Sequence, residues 1–304
     1  MGGPSSAYPH GVTIDDKSSV AVPLAFPVPE PMIEQASRFY AAGRSPVQPR
    51  VAATVLLLRP STPPGASGFE AYLIRRVAAV AFGGVYAFPG GGVDPSDAGT
   101  DLRWAGPEPA EWSARLGCPP AEAQAVVCAA AREVFEEAGV LLAGPDGDTV
   151  VGDVAGDDWE AERQALLARS FSFGDLLRRR GLTLRADLLA AWSRWITPEF
   201  EPRRFDTYFF VARLPAGQVP RDVSGEADHT VWVPPSTALG RADAGQWSLL
   251  PPTRVTLAEV GGCADLDGVF AAAAGRDPAV PVRPELRVDP DGTVSFVVPF
   301  GSRH

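Results

Sequence analysis

Hydrophobic and polar positions change period repeatedly along this chain, and each change marks an element. VAATVLLLRP (51–60) is an apolar run of buried-strand length, and FEAYLIRR (69–76) alternates closely enough for a second strand. The Pro/Gly/Ser turn between them (61–68) predicts a hairpin. Pro31–Ala42 predicts a short helix, with Pro31 in its first turn and Gly43 past its end. A stronger helical run, AEAQAVVCAAAREVFEEAG (121–139), opens at Pro119-Pro120 and closes on Gly139 in a C′ position. Two further helices are predicted over 157–180. AWSRWIT (191–197), FDTYFFVARL (205–214) and HTVWVPP (229–235) are strand-like, rich in aromatic and β-branched residues. From about 236 the pattern is helical again (TRVTLAEV, DLDGVFAAAAG), and a hairpin is predicted around Asp289-Pro290-Asp291-Gly292. No internal repeat is visible. Strands interleave with helices, so the fold class is α/β or α+β.

Between these elements the pattern weakens. Residues 1 to about 30 are rich in Pro, Ser and Gly and predict a tail or a strap over the surface. AFPGGGVDPSDAG (87–99) is a glycine-rich loop, and GPEPAEWSARLGCPP (106–120) reads as a linker too polar and proline-rich for a core element. The expected organisation is a tail or strap over 1–45 and a main domain over 46–235 with an insertion at about 99–118. A C-terminal extension over 236–304 is expected to pack on that domain.

Composition narrows the function. The chain has 304 residues, 45% of them apolar, enough to build a core and to exclude a wholly disordered chain. A formal charge of −10 argues against a nucleic-acid or anionic-membrane surface. The basic residues are nearly all arginine, the better bidentate phosphate ligand. Cys118, Cys128 and Cys263 form no CxxC pair and fit a reduced cytoplasmic interior. No apolar run reaches the roughly 20 residues of a membrane helix.

The informative segment is AREVFEEAGV (131–140). On a helix, Glu133 and Glu137 are i and i+4 and share a face, with Glu136 beside them. Like charges at that spacing disfavour a helix by roughly 0.2–0.5 kcal/mol. The helix dipole adds roughly 0.3–1 kcal/mol against anions in the last turns. An arbitrary acidic run is most often a solvated face. Here the rest of the helix is apolar, so the polar stripe is confined to one turn. Hard oxygen ligands clustered this way suit Mg²⁺ or Mn²⁺.

REVFEEAGV resembles the second half of the Nudix signature, R-E-U-x-E-E-x-G-U with U aliphatic, at every specified position. Phe88-Pro89-Gly90-Gly91-Gly92 resembles the FPGG stretch of the first half. In the contiguous signature a glutamate follows that glycine by six residues. Here Asp97 holds that place, and counting back from Arg132 gives Gln124 instead, so the box is split and its first glutamate replaced. The split box is similar to that of the CoA and acyl-CoA diphosphatase branch, most of all its mammalian peroxisomal type. Three further stretches point the same way. LIRR…GGVYAFPGG (73–91) partly matches the CoA-type upstream motif, with Gly84 in place and Val80 where an arginine would stand. WITPEFEPRRFDTYFF (195–210) and WSLLPPTRVTLAEV (247–260) are similar to segments of that subgroup.

The resemblance implies an α/β/α sandwich with a mixed sheet, a C-terminal helical extension and metal-dependent hydrolysis of a small-molecule diphosphate. It implies Glu133 and Glu137 as principal metal ligands, and Glu136 as a further ligand or a partner orienting Arg132. Gly90 and Gly91 would let the backbone pass close to the metal site. Arg75, Arg76, Arg203 and Arg204, at predicted strand ends, are candidate phosphate clamps or ordinary exposed arginines. Glu226 is the first choice for general base, with His229 and Asp97 as alternatives. Trp192, Trp195, Trp232 and Trp247 are read as packing residues rather than a base stack. The substrate stays open between CoA or acyl-CoA and ADP-ribose, NADH or a nucleotide sugar, and a non-catalytic nucleotide-binding module is the third reading. No nucleic-acid or membrane partner is expected, and a homodimer is left open.

Overall fold

The computed structural model describes residues 24–61, 68–77, 84–99, 101–221 and 227–298. In chain order the elements begin with β1 (Leu24–Pro27), α1 (Glu30–Ala41), β2 (Arg50–Pro60), β3 (Phe69–Arg76), β4 (Tyr86–Ala87) and β5 (Gly90–Gly92). A 3-10 helix (Pro95–Ala98) leads to β6 (Trp104–Ala105), α2 (Pro109–Leu116), α3 (Pro120–Ala138) and β7 (Ala143–Gly144). Next come α4 (Asp157–Leu167), α5 (Phe173–Arg180), β8 (Thr183–Arg185), β9 (Leu189–Ile196), β10 (Phe205–Arg213) and β11 (Ala227–Val233). The chain continues through α6 (Pro235–Asp243), α7 (Pro251–Gly261), α8 (Leu266–Ala274), β12 (Glu285–Val288) and β13 (Val294–Val298).

β2 explains the architecture. Its apolar run is continuous because the strand is buried on both faces. Ala53, Val55 and Leu57 pack towards the layer containing α2 to α5, while Leu56 and Leu58 pack towards α6 to α8. β2 lies inside a mixed sheet of order β11-β3-β2-β10-β9, parallel to β10 and antiparallel to β3, with β4 and β5 added at its margins. The result is the expected α/β/α sandwich. α3 is buried almost all round, and its alanines (Ala123, Ala125, Ala129 to Ala131) let it lie close to the sheet. Gly139 ends it at φ 64°, a conformation glycine adopts without strain.

Two sequence expectations need correction. The 106–120 segment is not merely a linker: it contains α2, whose Trp112 and Leu116 are fully buried beneath α3. Those two residues are i and i+4 and form one short apolar stripe, while Pro109 and the Glu108–Glu111 capping box account for the polar composition. The end of the 1–30 tail is also ordered into a strand. Leu24–Pro27 pairs antiparallel with Ser295–Val298, so the two ends of the described chain meet in a small sheet, β1-β13-β12. Most of the predicted 61–68 turn, Val80 and the first 23 residues lie outside the described residues. Among the described residues, no helix is long and apolar enough to cross a membrane.

Candidate active site

The site is assembled by one buried arginine. Arg132, on α3, donates from Nε and Nη2 to the two carboxylate oxygens of Asp97, both at 2.9 Å. Its Nη1 donates to Glu133 Oε1 at 2.7 Å and to Glu136 Oε2 at 3.0 Å, and Nη2 also reaches the Gly92 carbonyl at 2.8 Å. Asp97 is brought within reach by the 3-10 helix Pro95–Ala98, where Asp94 caps the turn and Asp97 accepts from the Asp94 N–H. Of the two candidates for the displaced box position, Asp97 is the one that meets Arg132. Gln124, the other candidate, donates to the Gly99 carbonyl and stays away from the cluster.

The glycine loop faces the same helix. Gly90 N–H donates to Glu137 Oε2 at 2.7 Å, and Thr54 Oγ1 holds the loop through the Pro89 carbonyl at 2.8 Å. A Cβ at Gly91 would stand 2.6 Å from Glu133 Oε1, and one at Gly90 would meet the Ala53 carbonyl oxygen at 2.5 Å. Both glycines are close-approach positions, one against a carboxylate and one against backbone. From behind, Arg163 on α4 donates from Nη1 to the Glu136 carbonyl at 2.7 Å and satisfies one orphan carbonyl of the last turn of α3. Glu160 holds that arginine at 2.6 and 2.9 Å.

Three buried carboxylates, Asp97, Glu133 and Glu136, thus surround a single guanidinium, and a fourth, Glu137, is buried one turn on against the glycine loop. Burial pushes the Glu133 carboxyl up to about 7, against the pull of Arg132 and with the help of repulsion from Glu136. Glu136 is raised too, chiefly by burial, which Arg132 opposes. Burial works against the charge of Arg132, but its hydrogen bonds to Asp97 and the fields of its three carboxylates hold it well above the ordinary arginine value. The cluster carries more negative charge than the protein itself neutralises, which is the condition under which a buried acidic site favours an added cation. Glu133 and Glu137 supply hard oxygens on the side of the glycine loop, where the missing side chain of Gly91 lets the Glu133 carboxylate lie against the loop backbone. Glu136 and Glu133 both accept from Arg132 Nη1, Glu133 through Oε1 and Glu136 through Oε2. Among the described residues, no three or more His, Cys, Asp or Glu side chains are arranged to hold a metal ion. The residues present fit a divalent cation held by two carboxylates and completed by other oxygens.

This cluster lines one part of a cavity of about 1420 Å³ at the end of the sheet where β2 and β10 begin. Of the proposed phosphate clamps, Arg76 lines it together with Gly90 and Gly91. The other three arginines do not. Arg75 is exposed and paired with Asp228 at 2.6 Å, and Arg203 is exposed elsewhere on the surface. Arg204 donates to the carbonyls of Thr197 and Val47 and ties β10 to its flanks. Arg50 and Arg169 do line the cavity, and sequence reasoning missed both. Arg169 carried a local signal, the end of a helical run, but its positive φ of 54° and its ion pair with Asp94 arise only in the fold.

Glu226 lies outside the described residues. His229 is exposed, sits edge-on to Tyr86 and is not part of the cavity wall. Asp97 has both oxygens engaged by Arg132, which leaves it poorly placed to take a proton from water. Trp192 and Trp232 pack against arginines, Arg276 and Arg59 respectively, and Trp247 stacks on Tyr86. Trp195 is buried and also contributes to the cavity wall.

Residues 113–259 match a family described as the NUDT19 Nudix domain. Acyl-coenzyme A diphosphatase NUDT19 of Homo sapiens is 30% identical over 261 residues, which cover 71% of this chain and 67% of that protein. A nudix hydrolase 7 of Caenorhabditis elegans is 27% identical over 191 residues, covering 59% of this chain and 51% of its own length. The chain thus spans between about half and two thirds of these curated relatives. Among solved structures, a NUDIX hydrolase from Alicyclobacillus acidocaldarius is similar with a TM-score of 0.59 at 26% identity, covering 76% of this chain and 98% of that one.

Proposed function

The chain belongs to the Nudix hydrolase family, and from that premise we propose that it hydrolyses the diphosphate of CoA and acyl-CoA, giving 3′,5′-ADP and (acyl-)4′-phosphopantetheine. The observation that carries this reading is the buried group of Glu133, Glu136 and Glu137 with Arg132 at the wall of a cavity that also presents Arg50, Arg76 and Arg169. The acyl-CoA diphosphatase named above supports the choice of substrate.

Nudix hydrolases use divalent metal ions, and here Glu133 and Glu137 would hold Mg²⁺ or Mn²⁺. When bound, such a cation offsets the charge of the diphosphate and makes water a stronger nucleophile at neutral pH. Everything else falls to the chain. Arg132 keeps Glu133 and Glu136 in fixed orientations and joins α3 to the 92–97 loop, and Asp97 keeps Arg132 from turning away. Gly91, lacking a side chain, lets the Glu133 carboxylate sit against the loop without being displaced. CoA carries a 3′-phosphate besides its diphosphate and needs a cation away from the acidic cluster, a role open to Arg50, Arg76 and Arg169. Glu226 remains the proposed general base, because it directly precedes Ala227, whose β-partner Arg76 lines the cavity. A purely nucleotide-binding module would have no need of four mutually repelling buried carboxylates.

The test is hydrolysis of CoA, dephospho-CoA and ADP-ribose at saturating Mg²⁺. CoA should be preferred at least tenfold in kcat/KM, about 1.4 kcal/mol of transition-state discrimination. A smaller preference hands the site to ADP-ribose, NADH or a nucleotide sugar. In the same assay, Glu137→Gln should lower kcat by at least about a hundredfold, roughly 2.7 kcal/mol. Its folding should stay intact, because the amide oxygen can still accept from Gly90 N–H.

A further inference from the structure

Side chains alternate along a strand, so residues of one parity on β2 face α3 and residues of the other parity face away. Val51 and Ala53 have the first parity, Arg50, Ala52 and Thr54 the second, and all five line the cavity. The cavity therefore wraps the end of the sheet and continues on the face opposite the acidic cluster. The strand register identifies its wall there. Phe205 and Phe209 are four apart on β10 and share a face, Phe209 lies opposite Thr54, and Trp195 on β9 lies opposite Thr207. Trp195 and Phe209 belong to the apolar cluster built with α6 to α8. Leu250, just before α7, lines the same cavity. Met32 from α1 and Phe296 from β13 complete the wall, and both belong to a separate apolar cluster formed with Phe200.

We infer that this far arm of the cavity holds the hydrocarbon chain of an acyl-CoA, and that Met32 and Phe296, contributed by the two ends of the described chain, set the length it accepts. The inference rests on the CoA reading above. Three observations favour a hydrocarbon occupant. The arm is continuous with the acidic site, so a substrate anchored there by its diphosphate can reach it. Its wall is mostly aromatic, aliphatic and proline side chains; Thr197, Thr207 and Thr253 also line the cavity, and the charged members are Arg50, which is exposed, and Glu201, which accepts from Gln35 of α1. The total volume, about 1420 Å³, exceeds the roughly 300–1,000 Å³ usual for a small-molecule site. A polar nucleoside half would leave its donors and acceptors unmatched against such a wall. A hydrocarbon chain loses nothing there and gains from leaving water.

Met32 is the position to alter, because it is half-buried on a surface helix and far in sequence from the residues assigned to the diphosphate. Met32→Trp places a bulkier side chain in the arm, and Met32→Ala removes part of its wall. The experiment measures kcat/KM for CoA, acetyl-CoA, octanoyl-CoA, palmitoyl-CoA and ADP-ribose with the wild type and both variants. The wild type should prefer palmitoyl-CoA over acetyl-CoA by at least tenfold. The palmitoyl-to-CoA ratio should fall at least tenfold in Met32→Trp and severalfold in Met32→Ala. If CoA is hydrolysed but every chain length responds alike in both variants, the acyl arm is wrong and the CoA reading stands. If no CoA species is hydrolysed while ADP-ribose is, both fail together. Phe205→Trp serves as an independent blocking variant should Met32→Trp not fold, with the same fall in ratio expected and the same uniform response overturning the inference.

Discussion

Gly90 and Gly91 are neighbours with the same missing side chain, yet they stand in different surroundings. A methyl group at Gly90 would collide with the backbone of Ala53 and with Thr54, in a strand that has no freedom to retreat. At Gly91 it would meet the carboxylate of Glu133, the far end of a side chain. Gly90→Ala should therefore be chiefly a folding defect, visible as a lowered Tm. Gly91→Ala should fold nearly normally and lose most of its kcat, since the carboxylate moves and its bond to Arg132 is disturbed. Thermal unfolding and steady-state kinetics on both variants check the contrast, and equal Tm losses would count against it. Neither distinction is visible in the string Gly-Gly-Gly.

At the scale of elements, α2 and α4 support α3 from two sides. Trp112 makes α2 part of the core, in edge-on contact with Phe210. Trp112→Ala should cost about 3–5 kcal/mol, measured by urea unfolding, because the ring's contacts are lost and the hole cannot fully collapse. A cost under about 1 kcal/mol would restore the segment to the status of a linker. On the other side, α4 acts through Arg163 and Glu160. The Arg163 hydrogen bonds hold the Glu160 carboxyl down to about 2. A carboxylate whose pKa is depressed by folding stabilises the protein above its unfolded value, near 4.3, and that contribution disappears as pH falls towards 2. Glu160→Gln should accordingly be less stable than the wild type at pH 7. The difference should shrink below about pH 4.5 and vanish near pH 2. Chemical denaturation at stepped pH checks it; a gap that widens on acidification would contradict the assignment.

The whole molecule is organised around a sheet that is apolar on both faces. α6 to α8 cover Leu56, Leu58, Leu73 and Val211 on the face away from α3. We expect residues 236–274 to belong to the folding unit of the main domain rather than to a detachable extension. A chain ending at Pro235 should fail to give a soluble, cooperatively unfolding protein, whereas a separable extension would leave a stable and active remainder. Gel filtration and thermal unfolding of the truncated chain distinguish the two. The ends of the described chain are also part of the whole, since β1 and β13 pair and their neighbours close one side of the cavity.

What could be read along the chain was what depends on neighbours in sequence. The 51–60 and 69–76 strands, the helix ending at Gly139 and the acidic stripe of Glu133, Glu136 and Glu137 each follow from a local period or a local stop signal. Even α2 was locally encoded, though its single stripe of Trp112 and Leu116 is too short to stand out among prolines and glutamates. The meeting of Asp97 with Arg132 was not legible. Two counting schemes pointed to two different residues, and only the 3-10 turn beside the glycine loop brings one of them to the guanidinium. Nor could strand-end arginines be sorted by sequence: Arg76 reaches the cavity, while Arg204 is held by carbonyl oxygens and Arg75 by an aspartate. Periodicity and stop signals are properties of a few consecutive residues. Which charges share a cavity depends on how whole elements pack, and that was decided by the burial of a two-faced sheet between two helical layers.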